Sequence, residues 1–306
     1  MMSTPFTPQL TADGSFTFFS DEFGEAFHSL QGARLEAEQK FVVPTNVRDR
    51  ALQGHIRLLD VCFGLGYNTA AALHTIWQVN PDCRVECIGL ERSPGVPQSA
   101  IAHGLLSAWR EPIPALLNQL VHQLEIDTAQ FRGRLLIGDA RQTLQRAPLL
   151  WADAIFLDPF SPQSCPELWT LEFLKMVVER LKPAGYLATY SCAAAVRTAL
   201  LESGLQIGST PGVGRKSPGT VASRVATGLP LSVQEREHLR TRAAIPYRDP
   251  ALSATAEEIR QRRQQEQALS ARESTSQWRR RWQCASSPQL PSKEGFTAQN
   301  GFGLQL

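Results

Sequence analysis

From about residue 56 to residue 190, short apolar runs alternate with helix-patterned segments, and this rhythm constrains the fold more than any other feature of the chain. Ile56-Arg57-Leu58-Leu59-Asp60-Val61 reads as a buried strand, and residues 68–79 carry Ala70, Leu73 and Trp77 at helical spacing. Further strands are expected over 84–90, 134–137, 154–157 and 185–190, with a helix over 167–181. Such alternation predicts a Rossmann-like α/β core on a mostly parallel, doubly wound sheet.

Outside this stretch the patterning changes. Residues 93–132 are too long for one crossover and are broken by Pro94, Pro97, Pro112 and Pro114, which predicts two or three helices, either over the substrate side or as extra scaffold. Phe16-Thr17-Phe18-Phe19 and Phe41-Val42-Val43 read as strands of a small antiparallel element, with a polar loop over 20–29 between them. Beyond Leu229-Pro230, residues 232–242 and 255–270 look like polar helices, and from Ser274 onward Ser, Gln, Pro and Gly predict disorder. The expected division is an N-terminal β element at 1–50, a core domain at 51–230 and a helical extension with a disordered tail at 231–306.

Composition closes off several classes. A net charge of +2 over 306 residues does not announce a nucleic-acid partner. No apolar run approaches the roughly 18 residues of a membrane span, and the start lacks the pattern of a secretory signal, so a cytoplasmic protein is expected. The six cysteines are scattered, and Cys83 and Cys87 have no second pair at metal-ligand spacing; reduced thiols and no metal are the expectation.

The ends of successive strands carry one constellation, and open α/β sheets bind ligands at the carboxyl ends of their strands. Asp60-Val61-Cys62-Phe63-Gly64-Leu65-Gly66-Tyr67-Asn68 joins the first strand to its helix, where glycines let a ligand approach the backbone. A dinucleotide site expects a third glycine where Thr69 stands, so the turn argues for a ligand lacking a pyrophosphate. Glu91 ends the next strand, where an acid can take both ribose hydroxyls. Asp139, after Leu135-Leu136-Ile137-Gly138, can accept from an adenine amino group. Together these predict an adenosyl cofactor. Leu157-Asp158-Pro159-Phe160-Ser161-Pro162-Gln163, with Pro166-Glu167-Leu168-Trp169, is the fourth site.

With that fourth site the chain resembles the methyltransferase domain of MnmC-type tRNA-modifying proteins. The resemblance runs in order from about residue 18 to 225. It takes in Glu22-Phe23-Gly24-Glu25, Phe27-His28-Ser29, Phe63 to Asn68, Gly138-Asp139, Asp153 to Asp158, Pro166 to Trp169, Leu187-Ala188-Thr189-Tyr190-Ser191 and Gly212-Val213-Gly214-Arg215-Lys216. It implies S-adenosyl-L-methionine as cofactor, bound by Asp60, Phe63, Gly64, Gly66, Tyr67, Asn68, Glu91, Asp139, Asp158 and Pro159. It also implies methylation of the 5-aminomethyl(-2-thio)uridine amine at the tRNA wobble position, with the anticodon region as partner. Asp158 and Phe160 are then the catalytic pair, and Phe27, His28, Trp169, Arg215 and Lys216 contact the substrate. For Phe23, Phe27 and His28 a core or loop-anchor role stands beside this one; Arg215 and Lys216 bind phosphates or cap a hairpin. Three features depart from the family. A flavin-dependent second half is not seen in these residues, so its oxidative step is not expected; Pro159 stands where fused forms tend to have Gly; and the stretch beyond Leu229 has no counterpart.

The chemistry suits these residues. Asp-Pro-Phe is similar to the Asp/Asn-Pro-Pro-aromatic motif of amino-group DNA methyltransferases, where the acid or amide accepts from the target nitrogen and the aromatic packs on the base. Methyl transfer from a sulfonium depends mainly on holding the nitrogen lone pair in line. An alkylamine of lysine-like pKa costs about 4 kcal/mol to neutralise at pH 7, and an ordinary aspartate is too weak a base to do so. Asp158 is therefore expected to orient the amine, with Phe160 against the uracil. Two other functions compete: an amine methyltransferase on a small molecule or DNA base, and a non-catalytic, cofactor-binding RNA-associated protein.

Overall fold

The structure, a computed structural model, describes residues 6–213 and 217–286, so Arg215, Lys216 and the end of the tail lie outside the described residues. The chain opens with two short antiparallel pairs, β1 (Gln9–Leu10) with β2 (Phe16–Thr17) and β3 (Phe19–Ser20) with β4 (Glu25–Ala26). A helical stretch follows: α1 (Ala33–Glu36), a π-helical turn (Ala37–Val42), a 3-10 turn (Val43–Thr45) and α2 (Val47–Arg50). The expected strand at Phe41-Val42-Val43 is thus corrected to helix. Phe41 and Val42 are both buried while Val43 is 61% exposed, a pattern set by packing against the core, where Phe41 meets Phe156 edge-on at 6.2 Å. Three apolar residues in a row carry no period, so tertiary packing decided.

The central sheet contains β5 (His55–Val61), β6 (Arg84–Glu91), β7 (Glu125–Asp127), β8 (Phe131–Ile137), β9 (Ala152–Leu157), β10 (Leu181–Thr189), β11 (Gln206–Thr210) and β12 (Gly219–Ser223). Its spatial order is β11-β12-β10-β9-β5-β6-β8-β7, parallel from β10 to β8 and antiparallel at both margins. The chain runs outward from β5 through β6 to β8 and then returns to the other side of β5 with β9. The topological switch therefore lies between β5 and β9, where a crevice opens at the carboxyl ends.

Helices α3 (Tyr67–Val79), α4 (Gly95–Ala102), α5 (Ile113–Gln123), α6 (Ala140–Thr143), α7 (Leu171–Arg180) and α8 (Ala194–Glu202) cover the sheet. Side chains alternate between two apolar cores. Ile56, Leu58, Ala154 and Phe156 enter one with α3 and α5, whereas Leu59, Val61, Ile155 and Leu157 enter the other with α7 and α8. Burial on both faces explains why β5 and β9 read as nearly continuous apolar runs. The insertion after residue 93 is mostly scaffold: Ile113, Leu117, Leu120 and Val121 of α5 are buried in the first core.

The extension has α9 (Val233–His238), α10 (Ala256–Leu269) and α11 (Thr275–Ser286). Ser232 with Glu235, and Thr255 with Glu258, form capping boxes that start α9 and α10. Disorder expected from Ser274 is corrected over α11: Trp278 is buried, Trp282 Nε1 donates to Glu237, and Arg281 pairs with Glu237 and Glu273. The Arg-rich run of α10 clamps neighbouring backbone, Arg260 on the Gln163 carbonyl, Arg262 on Arg248 and Arg263 on Ala243 and Ile245. Among the described residues no helix is long and apolar enough to cross a membrane.

Candidate active site

In-register pairing sets Val61 of β5 beside Leu90 of β6 and Leu157 of β9, and Glu91 beside Ile137 of β8. The Asp158 loop, the glycine turn, Glu91 and Asp139 therefore emerge side by side from four adjacent strands. Strands lie about 4.8 Å apart, so the row spans roughly 14 Å. Above it lies a cavity of about 1030 Å³, large enough for an adenosyl cofactor and part of an acceptor.

The glycine turn is built around Phe63. A Cβ on Gly66 would meet the Phe63 ring at 3.0 Å, and one on Gly89 of β6 would meet it at 2.9 Å, so both glycines leave room for the ring. Gly66 (φ 82°) begins α3, and Cys62 adopts φ 70° without being glycine, a strained conformation of the kind found at ligand sites. Phe63 and Gly64 line the cavity. Glu91 lines it too, and its two oxygens accept from Gly64 N and Ser93 N, each at 2.9 Å. Burial pushes its carboxyl up while those amides oppose the push. Each oxygen keeps a lone pair for a ligand hydroxyl. Asp139 caps α6 and is gripped by Arg141, with Nη2 at 2.7 Å; these bonds outweigh burial and hold its carboxyl below the usual range. Arg141 also reaches buried Asp249 at 3.1 Å and the Ala254 carbonyl at 2.9 Å, tying this end to the extension.

At the other end each residue from Asp158 to Ser161 is clamped. Asp158 N donates to the Val61 carbonyl at 3.1 Å, Tyr190 hydroxyl donates to the Pro159 carbonyl at 2.9 Å, and Trp169 Nε1 donates to the Phe160 carbonyl at 2.7 Å. Ser161 donates through its amide (3.0 Å) and its hydroxyl to Glu25 of β4. Asn68 Nδ2 donates to Asp158 Oδ2 at 2.8 Å, leaving Asn68 Oδ1 buried with no partner among the described residues. Burial raises the Asp158 carboxyl well above the ordinary value, negative Glu36 and Asp60 add to this, and Asn68 opposes it. Phe160 stacks on Phe23 at 4.4 Å and meets Phe27 edge-on at 4.9 Å, forming an aromatic wall at the mouth. Arg92 lies 5.7 Å from the Phe23 ring centre and bridges to Glu22.

The structure thus brings Phe63, Gly64, Glu91, Asp139, Asp158, Pro159, Phe160, Phe27 and His28 onto one wall. Other side chains named in the sequence stand behind it. Asp60 is fully buried, accepts from Thr69 at 2.7 Å and is pushed up to about 7 by burial. Tyr67 is tied to the Leu105 carbonyl at 3.0 Å, and burial lifts its hydroxyl to about 12. Asn68 acts through Asp158, and Gly66 shapes the turn. Trp169 is fully buried, so its expected substrate contact is corrected to support of the Phe160 carbonyl. His28, stacked on Tyr67 at 5.1 Å, is pushed down to about 4 by burial and is neutral at pH 7. Sequence reasoning gave no role to Glu25, Glu36 or Tyr190, and read Phe23 only as a core or loop anchor; Phe23, Glu25 and Tyr190 stood in quoted motifs, but only the fold brings the four to Asp158.

The wall fits an adenosyl sulfonium cofactor: Glu91 presents acceptors, the Gly64 turn lacks a side chain, and Glu91, Asp139 and Asp158 favour a cationic ligand. Among the described residues no group of three metal-ligating side chains occurs. A family described as S-adenosyl-L-methionine-dependent methyltransferase matches residues 99–225. The crystal structure of MnmC2 from Aquifex aeolicus is similar, with 36% identity and a TM-score of 0.76 over 87% of this chain and 86% of that one. An uncharacterized protein of Methanocaldococcus jannaschii is 32% identical over 81% of this chain and 69% of its own length. The tRNA 5-methylaminomethyl-2-thiouridine biosynthesis bifunctional protein MnmC of Ralstonia nicotianae is 32% identical over 71% of this chain, which spans only 34% of that protein. With these likenesses over a Rossmann-like core, the chain belongs to the MnmC-like family of S-adenosylmethionine-dependent methyltransferases.

Proposed function

We propose that this methyltransferase N-methylates the 5-aminomethyl(-2-thio)uridine amine at the tRNA wobble position, acting in the cytoplasm. The observation that carries the reading is the clamped Asp158-Pro159-Phe160 loop, which sets a raised carboxyl beside an aromatic wall. The names of MnmC relatives support the substrate class.

Glu91 would hold the cofactor's ribose hydroxyls, Asp139 its adenine amino group, and the Phe63-Gly64 turn its amino-acid end. When bound, the cofactor supplies an electrophilic methyl on a sulfonium. Asp158 accepts an N–H of the amine and aims the nitrogen lone pair, while Asn68 fixes the carboxylate. Its raised carboxyl binds a proton more strongly than an ordinary aspartate, so it is a better acceptor than its residue type suggests. The Phe23-Phe160-Phe27 wall holds the extruded uracil. Neutral His28 adds a polar contact without a competing cation.

The test supplies tRNA carrying aminomethyl at the wobble uridine, or the same tRNA without it, with methyl-labelled cofactor. Label in the wobble nucleoside of the first alone supports the reading. Label only in free amines or DNA would replace it.

A further inference from the structure

Resting on that reading, we propose that Glu36 is a second carboxylate of the acceptor end, contacting the same amine as Asp158, so that the pair takes the proton the amine must lose before methylation.

Glu36 ends α1, outside the Rossmann core, yet lines the same cavity as Asp158. Ser29 N donates to its Oε2 at 2.7 Å, which holds the side chain toward the site. Glu36 is also the charged neighbour acting most strongly on Asp158. Two nearby carboxyls share protons: ionisation of one favours protonation of the other, and an ammonium between them stabilises both as anions. Asn68 Oδ1, buried and without a partner among the described residues, adds an acceptor to this corner beside the Nδ2 donor that holds Asp158.

The charges balance. The ammonium's N–H bond breaks with its electron pair staying on nitrogen, and the proton passes to a carboxylate oxygen of the pair. Nitrogen then forms the C–N bond as the C–S bond breaks, the bonding pair leaving on sulfur. The product is a secondary ammonium beside a neutral thioether, and the carboxyl proton passes to water on release.

Among the described residues, the groups around this pair include Asn68 from α3, Asp60 from β5, and Cys62 after it, whose thiol burial raises. Tyr190 at the end of β10 is bonded to Pro159, Glu25 of β4 is engaged by Ser161 and Ser164, and Arg92 is paired with Glu22. His28 is neutral above about pH 4, and Asp60, pushed up to about 7 by burial, sits behind the wall bonded to Thr69, so among the described residues we assign the proton to the cavity-lining Glu36 and Asp158.

The test compares wild type with Glu36→Gln on aminomethyl-bearing tRNA at saturating cofactor from pH 6 to 9.5. Gln keeps an oxygen for Ser29 N, and cofactor affinity by calorimetry, expected within twofold of wild type, reports an intact fold. Glu36→Gln is expected to be about 100-fold slower at pH 7. Its rate should then climb roughly tenfold per pH unit as bulk water supplies neutral amine. The wild-type profile should be much flatter, and Glu36→Asp should regain part of the rate. A Glu36→Gln profile parallel to wild type would overturn the role of Glu36 while leaving the substrate reading intact. Wild-type inactivity on this tRNA would overturn both.

Discussion

The two ends of the cavity are built by different means. The cofactor end is made of residues that follow successive strands of one sheet: Phe63 and Gly64 after β5, Glu91 at the end of β6 and Asp139 after β8. Hydrogen-bonded register fixes their spacing. The acceptor end is assembled from separate parts of the chain: Phe23, Glu25, Phe27 and Glu36 come from the N-terminal segment, Asp158 and Phe160 follow β9, and Tyr190 follows β10. Register sets only the ends of β9 and β10; hydrogen bonds and ring contacts bring the N-terminal groups to them. Under the proposed function, adenosyl binding therefore rests on backbone geometry, whereas acceptor recognition rests on a network that separate substitutions can dismantle.

Substitutions should separate the two ends. Asp158→Ala is expected to lower kcat by about 1000-fold through lost orientation and proton acceptance, with cofactor affinity changing only a few-fold. Equal loss of both in single-turnover and binding assays would erase the distinction. His28 gives the acceptor end a pH limit. Its folded pKa of about 4 lies below the ordinary value of 6.5, so the unfolded chain binds more protons between those values. Stability should fall by about 3 kcal/mol as pH drops through that window, as read from urea midpoints, and His28→Phe should remove much of the slope.

At the cofactor end, Glu91→Ala removes a carboxylate worth about 2 kcal/mol to bound hydroxyls, so KM for the cofactor should rise roughly 30-fold at nearly unchanged kcat. A fall in kcat at saturation would place Glu91 in both ends. The smallest effect is expected from Phe23→Ala: KM for tRNA should rise about tenfold through lost stacking, with cofactor affinity unchanged by calorimetry.

The core was legible because both faces of the parallel strands are buried: β5, β6 and β9 read directly as apolar runs bounded by helical periods. The polar helices expected at 232–242 and 255–270 begin at Val233 and Ala256, where Ser232 with Glu235 and Thr255 with Glu258 cap them locally. Phe41-Val42-Val43 was not, because three apolar residues satisfy either a strand or a helix until α3 and Phe156 are placed against them. The helix at Thr275–Ser286 was hidden by its polar composition; it is held by Trp278 stacked on His238 at 4.5 Å and by Arg281 between two glutamates. Trp169 and Tyr67 stood in the right motifs, but whether a side chain faces a ligand or the core depends on neighbours remote in sequence.

By itself the sequence determined the doubly wound sheet, the row of strand-end acids and glycines and the Asp-Pro-Phe loop, because strand periodicity and turn chemistry are local. Only the tertiary structure decided which of those residues reach the cavity, that Glu25, Tyr190 and Trp169 clamp the loop, and that Glu36 stands near enough to Asp158 to raise its carboxyl. Those contacts join segments more than 100 residues apart in two cases, Glu25 to Ser161 and Glu36 to Asp158, and electrostatics and packing over such separations exist only once the sheet has brought the segments together.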